Sequence, residues 1–290
     1  MNFTKAMRKK AKLRLALTGP SGSGKTYGAL TIAKGLGGKT AVIDTEKGSA
    51  SLYSNYFNFN VLELDPPFTP ERFIQAMNIA QEASYDNLII DSITHEWNGT
   101  GGCLEILDAI TSTKYKGNSW SAWNNITPRH NKFINSILRS NINIIATMRS
   151  KTETAQVDKG NGKKRVDKLG MKSEQRDGIE YEFTTVLDLN HETHTASASK
   201  DRTGLFSNAD FIVINEDVGK RLNEWLNDGR SQAEIHLMLF TDSVNQTKNM
   251  NELQILFAEA YKALKDTPEQ TKAQEIYESK KEALKIKEVA

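Results

Sequence analysis

Residues 19–26 read Gly-Pro-Ser-Gly-Ser-Gly-Lys-Thr, directly after the apolar run 13–18 and directly before a helix-like stretch. Strand, glycine loop and helix therefore come in the order that a phosphate cradle needs. The glycines let backbone N–H groups turn inward, and the helix that follows offers its positive end to anionic oxygens. In that arrangement Lys25 reaches the β and γ oxygens of a nucleoside triphosphate, and Thr26 offers a hydroxyl to Mg²⁺. The predicted nucleotide-contacting set is Gly19, Pro20, Ser21, Gly22, Ser23, Gly24, Lys25, Thr26 and Tyr27, with ATP and Mg²⁺ as cofactors.

The surrounding pattern predicts an α/β fold. Apolar strand-like runs end at Thr18, Asp44, Asp91 and Met148, and helix-like segments separate them. Residues 28–36 follow the first run, Thr69-Pro70-Glu71 opens a second helix, and Thr127-Pro128 opens a third. Such alternation predicts a mostly parallel central sheet covered on both faces. After about Gly178 the segments 181–190, 193–200 and 211–214 read as successive strands, expected as antiparallel additions at one sheet edge. Between the run ending at Met148 and these strands, residues 150–178 form a polar, glycine-containing stretch, expected as a mobile loop or flexible hairpin. Residues 250–265 and 268–287 carry helical periodicity and predict a helical hairpin on a flexible lead. The expected plan is a basic arm over 1–12, a core over 13–228 and a helical appendage over 229–290.

Composition narrows the classes. Lys plus Arg is 38 against 36 for Asp plus Glu, so an electrostatic signal for a polyanion has to be local. The single cysteine, Cys103, excludes an internal disulfide and a multi-cysteine zinc site, which fits a reducing cytoplasm. No apolar stretch approaches the ~18 residues of a membrane span, so no membrane partner is expected. His191-Glu192-Thr193-His194 lacks the spacing of a zinc protease, and His95 and His130 read as hydrogen-bonded structural residues.

Two acidic strand ends complete the predicted chemistry. Residues 87–92, Asn-Leu-Ile-Ile-Asp-Ser, place Asp91 at the edge beside the phosphate loop, where it orders Mg²⁺ with Thr26. Residues 41–46, Ala-Val-Ile-Asp-Thr-Glu, end the second strand in two carboxylates two residues apart. Glu46 there can polarise an attacking water; the alternative is that Asp44 and Glu46 cap a strand end.

The order of phosphate loop, Ile-Asp-Thr-Glu, Ile-Ile-Asp-Ser, a strand leading to Thr147-Met148-Arg149, a basic stretch and then Lys200-Asp201-Arg202 spans about residues 13–215. This combination resembles core-only RecA-like ATPases, in particular the phage-encoded RecA-core proteins grouped with single-strand-annealing recombinases. The resemblance implies that Lys200 and Arg202 enter a neighbouring subunit's ATP site, and hence a homo-oligomer; an exposed basic turn is the alternative. It also implies that Lys151, Lys159, Lys163, Lys164, Arg165, Lys168, Lys172 and Arg176 belong to a loop that contacts single-stranded DNA; a solvated insertion is the alternative. The chain departs from the pattern at its fourth strand, where RecA relatives carry a glutamine and this sequence has Thr147, Met148 and Arg149. Arg149 either senses phosphate or is a surface residue. Lys114, Tyr115, Lys116, Trp120 and Trp123 interleave cations with rings, which either stack on bases or pack. Phe3-Thr4-Lys5-Ala6 resembles a short recombinase docking segment, and the C-terminal helices are a candidate site for a single-strand-binding or replication partner. The expected activity is ATP hydrolysis coupled to strand annealing, in the host cytoplasm if phage-encoded. The alternative is an ATP-dependent switch that recruits a partner without touching DNA.

Overall fold

The computed structural model describes residues 6–158, 164–207 and 209–289, with the backbone alone for 152–158, 164–170 and 286–289. Phe3, Thr4, Lys5, Lys159 and Lys163 lie outside the described residues, as do the side chains of Lys164, Arg165 and Lys168. The chain divides into two compact units, Lys12–Trp225 and Met1–Ala11 with Leu226–Ala290.

In the larger unit, β1 (Arg14–Gly19) leads through the glycine loop into α1 (Lys25–Leu36), followed by β2 (Thr40–Asp44). The edge strand β3 (Asn60–Glu63), α2 (Pro70–Glu82) and β4 (Asn87–Asp91) come next. Then follow the short α3 (Thr94–Asn98), α4 (Cys103–Thr113), α5 (Ser119–Arg139) and the long β5 (Asn143–Asp158). The last segments are β6 (Lys164–Ser173), β7 (Thr185–Leu189), β8 (Thr195–Asp201), β9 (Ile212–Val213) and α6 (Glu216–Asn227). The main sheet has the order β3-β2-β4-β5-β1-β7-β8-β9. Every pairing from β3 to β7 is parallel, and β8 and β9 add antiparallel strands at the edge. The α/β class and mostly parallel sheet are those the sequence predicts.

β1, β2 and β4 are buried along their whole lengths, which is why they read as continuous apolar runs and not as alternating ones. On one face, Phe73 and Met77 of α2 and Phe133 and Ile137 of α5 pack on Leu88, Ile90 and Ile144. The rings of Phe73 and Phe133 lie 5.4 Å apart. The other face is covered by α1, and α6 packs on α1 so closely that only glycine fits at the crossing. A Cβ on Gly35 would sit 2.0 Å from the Glu216 carbonyl oxygen, and one on Gly219 would sit 2.2 Å from that of Ile32. Arg14 is buried at the start of β1 and donates to the carbonyls of Leu138, Ser140 and Ile142 at the end of α5. Burial lowers its pKa to about 10, still charged at neutral pH, and the cation complements the helix's negative end.

Several elements differ from expectation. α5 starts at Ser119, with Pro128 in its interior. The Asn118 side chain, accepting from Ser121 N at 3.2 Å, is the true cap. Burial of Ile126, His130 and Phe133 holds the helix together through the position where proline removes a donor. β7 is not an antiparallel edge strand. It pairs parallel to β1, Leu15 beside Thr185, because its apolar residues are wanted inside the sheet. Residues 179–182 form a 3₁₀ turn ahead of it. The basic stretch is a β-hairpin: β5 runs past the sheet and pairs antiparallel with β6, from Ser150↔Ser173 to Asp158↔Lys164.

In the smaller unit the lead is itself a helix. α7 (Gln232–Gln246) precedes the expected pair α8 (Met250–Ala263) and α9 (Pro268–Val289). Ser231 and Glu234 form a reciprocal capping box at its start. Phe240, Val244, Leu253, Leu264, Ala273 and Tyr277 share one core. The basic arm is pinned to this unit by Lys10 N donating to Arg230 O at 3.0 Å and by an Arg8–Asp228 ion pair at 3.0 Å. Among the described residues no helix is long and apolar enough to cross a membrane.

Candidate nucleotide site

Parallel pairing brings the C-terminal ends of the strands to one edge of the sheet, with Thr18 beside Met148 and Asp44 beside Asp91. The phosphate loop closes over this edge. Gly22 (φ +76°) and Gly24 (φ +89°) hold left-handed conformations that a side chain would strain, and α1 begins immediately afterwards. Lys25 Nζ donates to the carbonyls of Gly19 (3.0 Å) and Pro20 (2.8 Å) at the loop's own entrance. Burial lowers the Lys25 pKa, partly offset by the nearby carboxylates of Asp91 and Glu46, and Arg149 lowers it further. A desolvated cation held by neutral carbonyls is well placed to accept an anion.

Asp91 is buried and accepts from Thr26 Oγ1 at 2.6 Å and from Thr147 Oγ1. Burial raises its pKa, against the two hydroxyl donors and with a contribution from Glu46 and Asp44. Thr26 and Asp91 together present a hydroxyl and a carboxylate, the oxygen donors that Mg²⁺ takes. Thr45 Oγ1 donates to Asp91 O at 3.0 Å and accepts from Ser92 N at 2.8 Å, tying the end of β2 to the end of β4. His95 Nδ1 lies 2.7 Å from the same hydroxyl, and its ring stacks on Phe68 at 5.0 Å.

The two carboxylates at the end of β2 part company. Asp44 Oδ1 accepts from Glu46 N (2.6 Å) and Oδ2 from Ala50 N (2.9 Å), so Asp44 holds the turn. Glu46 faces the phosphate loop, and its Oε1 pairs with Arg149 Nη2 at 2.8 Å and Nε at 3.1 Å. Arg149 is therefore in the site and not on the bare surface. Ser21, Gly22, Gly24, Lys25, Thr26, Glu46, Tyr53, Asp91 and Arg149 line a cavity of about 390 Å³. Behind the loop a second cavity of about 440 Å³, mostly apolar, is lined by Tyr27, Gly28, Leu189, His194, Thr195, Val213 and Ile214. Ser23 Oγ at its edge is buried without a partner among the described residues. Cradle, cation, oxygen pair and apolar flank together fit a nucleoside triphosphate with Mg²⁺. Sequence reasoning missed the residues of β7–β9 here, because only the parallel pairing of β7 to β1 brings them to the loop.

β5 links this site to the hairpin. Thr147 and Arg149 serve the cavity, and from Ser150 the same strand pairs with β6. Lys151 lies 3.7 Å from Glu174, and Lys172 pairs with Asp177 at 2.9 Å. Just beyond β6, Gln175 Nε2 donates to Ile93 O at 2.9 Å, two residues from Asp91, and lies 3.3 Å from Glu96. Glu96 also accepts from Cys103 Sγ and His130 Nδ1, both at 3.1 Å. These three are buried potential metal donors within 4.8 Å of one another, joined here by hydrogen bonds. Burial, reinforced by Glu96, keeps the Cys103 thiol protonated.

Lys200 and Arg202 are not among the residues lining the phosphate cavity. Lys200 Nζ donates to Glu180 O at 3.0 Å and to Tyr181 O, and Arg202 Nη2 lies 3.4 Å from Tyr181 O. Both cations thus gather on the exposed turn at Tyr181. Trp123 is a packing residue, stacked on Trp97 at 5.8 Å with Arg176 over its ring at 5.9 Å.

Residues 11–230 match the family model described as an AAA domain. No curated protein matches the chain.

Proposed function

Because the chain belongs to the AAA-domain family of P-loop ATPases, we propose that it hydrolyses ATP with Mg²⁺ and uses the nucleotide state to control a single-stranded DNA contact on the β5–β6 hairpin. The observation that carries this reading is the path of β5. One strand supplies Thr147 to Asp91 and Arg149 to Glu46, then becomes the hairpin that holds the cationic stretch.

ATP with its Mg²⁺ supplies the phosphoanhydride bond and the divalent charge. Lys25 and the loop N–H groups bind the phosphates, and Thr26 with Asp91 holds the metal ion. Glu46 orients a water and takes its proton, which requires that its carboxylate be released from Arg149. Arg149, freed at the same time, has negative charge as its alternative partner. Exchange of the Glu46–Arg149 pair moves the strand that carries the hairpin, and this is the coupling route. Lys200 and Arg202, outside their own chain's cavity, complete a neighbouring copy's site, which makes the working form a homo-oligomer.

The resemblance to phage RecA-core proteins extends this reading to strand annealing in the cytoplasm of a host cell. Phosphate release measured with and without a single-stranded oligonucleotide tests it: a rate that responds to the strand supports it, and an unresponsive rate with no strand binding removes the DNA limb. In that case the second reading takes over, an ATP-dependent switch recruiting a replication or recombination partner. It is favoured by the three-helix unit, which leaves Leu239, Ile255 and Tyr261 exposed.

A further inference from the structure

Trp120 is 85 % exposed, the most exposed large hydrophobic side chain among the described residues. Leaving an indole in water forgoes the burial that a large aromatic ring ordinarily finds. The side chain is nonetheless presented on a fixed support. It stands on the first turn of α5, capped by Asn118. The approach to that turn is held by Tyr115, whose hydroxyl accepts from Asn125 Nδ2 at 2.8 Å. One turn along the same helix, Trp123 is packed on Trp97 and covered by Arg176, which follows β6. Trp120 therefore stands one helical turn from the ring that meets Arg176 near the root of the hairpin, on the same unit.

Its surroundings select the partner's charge. Between Asp108 and Glu153 the sequence holds seven Lys and Arg residues and no Asp or Glu. Arg129 is paired with Glu71 and Arg149 with Glu46. Lys114, whose Nζ lies over the Tyr115 ring at 5.6 Å, and Lys116 precede Trp120 by six and four residues, are exposed and have no carboxylate partner among the described residues. Its sequence neighbours Asn118, Ser119, Ser121 and Asn124 are polar, Ala122 is buried and Trp123 is packed, so the exposed ring is not part of the broad apolar face that a membrane surface would take. An exposed aromatic plane close in sequence to lysines without carboxylate partners among the described residues matches an unpaired base with its phosphates.

We infer that Trp120 is a base-stacking platform for single-stranded nucleic acid, with Lys114 and Lys116 holding the adjoining phosphates and the strand continuing from the β5–β6 hairpin. This rests on the reading that the hairpin binds a single strand. The test uses the full chain with ATP and a labelled single-stranded oligonucleotide, and compares wild type with Trp120→Ala and Trp120→Phe. The expected result is a Kd raised about 5- to 150-fold by Trp120→Ala, with most of the affinity kept by Trp120→Phe. An oligonucleotide abasic throughout should bind wild type and Trp120→Ala alike. Unchanged affinity in Trp120→Ala, while substitution of Lys151 and Lys172 weakens binding, overturns the platform and leaves the hairpin reading standing. No strand binding by wild type overturns both, and if phosphatidylserine vesicles then shift the tryptophan emission of wild type to the blue but not that of Trp120→Ala, the surface is a membrane contact.

Discussion

Replacing Glu46 by glutamine separates catalysis from stability. The carboxylate meets Arg149 in a forked pair, 2.8 Å and 3.1 Å, but the two side chains are 28 % and 44 % exposed. A pair that wet contributes about 0.2–1 kcal/mol to folding, and glutamine keeps an acceptor oxygen for the guanidinium. In a unit of this size about 1 kcal/mol corresponds to roughly 2–4 °C, so Tm should fall by less than about 4 °C. Turnover loses its proton acceptor, and a positioned general base contributes about 10²–10⁴ in rate, or about 2.7–5.4 kcal/mol of barrier. The assays are phosphate release at saturating ATP, equilibrium binding of a fluorescent ATP analogue and thermal unfolding. Turnover within threefold of wild type, with nucleotide binding intact, refutes Glu46 as the base. A Tm drop of 10 °C with lost nucleotide binding makes it a structural residue instead.

Asp91→Asn should abolish turnover yet stabilise the nucleotide-free protein, because burial raises the Asp91 pKa and an amide can keep both threonine partners. The sign follows from linkage: with its folded pKa above the unfolded one, Asp91 loses stability for the wild type as pH rises through the folded value, so the variant's advantage should be greater at pH 7 than below pH 4. Urea titrations of both proteins at the two pH values check it. Gly35→Ala should cost at least about 1–3 kcal/mol in the same titration, since its Cβ would lie 2.0 Å from the Glu216 carbonyl oxygen. Neutralising Lys151, Lys172 and Arg176 together should flatten the plot of log K against log salt for a single strand by about 2, at roughly 0.7 per phosphate contact. An unchanged slope places the strand elsewhere.

What could be read in advance was whatever the chain decides locally. The phosphate loop is legible because glycine at Gly22 and Gly24 is demanded by the backbone's left-handed turn there. The acids at the ends of β2 and β4 are legible because fully buried parallel strands announce themselves as apolar runs. Of the two carboxylates, Glu46 is singled out by the chemistry a glutamate offers there, and it lines the cavity; that Asp44 caps the turn at Ala50 instead is left open by the sequence, since it depends on the path of the chain after β2. Thr127-Pro128 carries a local start signal that tertiary burial overrides in α5, and the Ser231-x-x-Glu234 capping box carried a signal for α7 that the helical periodicity of α8 and α9 overshadowed. The apolar flank from β7–β9 had no local signal at all. It exists because β7 inserts beside β1, a pairing between residues some 170 positions apart.

In the proposed coupling, the state of the nucleotide site controls the hairpin's grip on a single strand. Fluorescence anisotropy of a labelled single-stranded oligonucleotide, titrated with the full chain in ATP, ADP or no nucleotide, tests it most directly, with Glu46→Gln holding the ATP state. Binding should be tight with ATP and weaken at least about tenfold with ADP, one decade for each 1.4 kcal/mol of coupling. Equal affinity in all three conditions, or no binding at low and physiological salt, contradicts it.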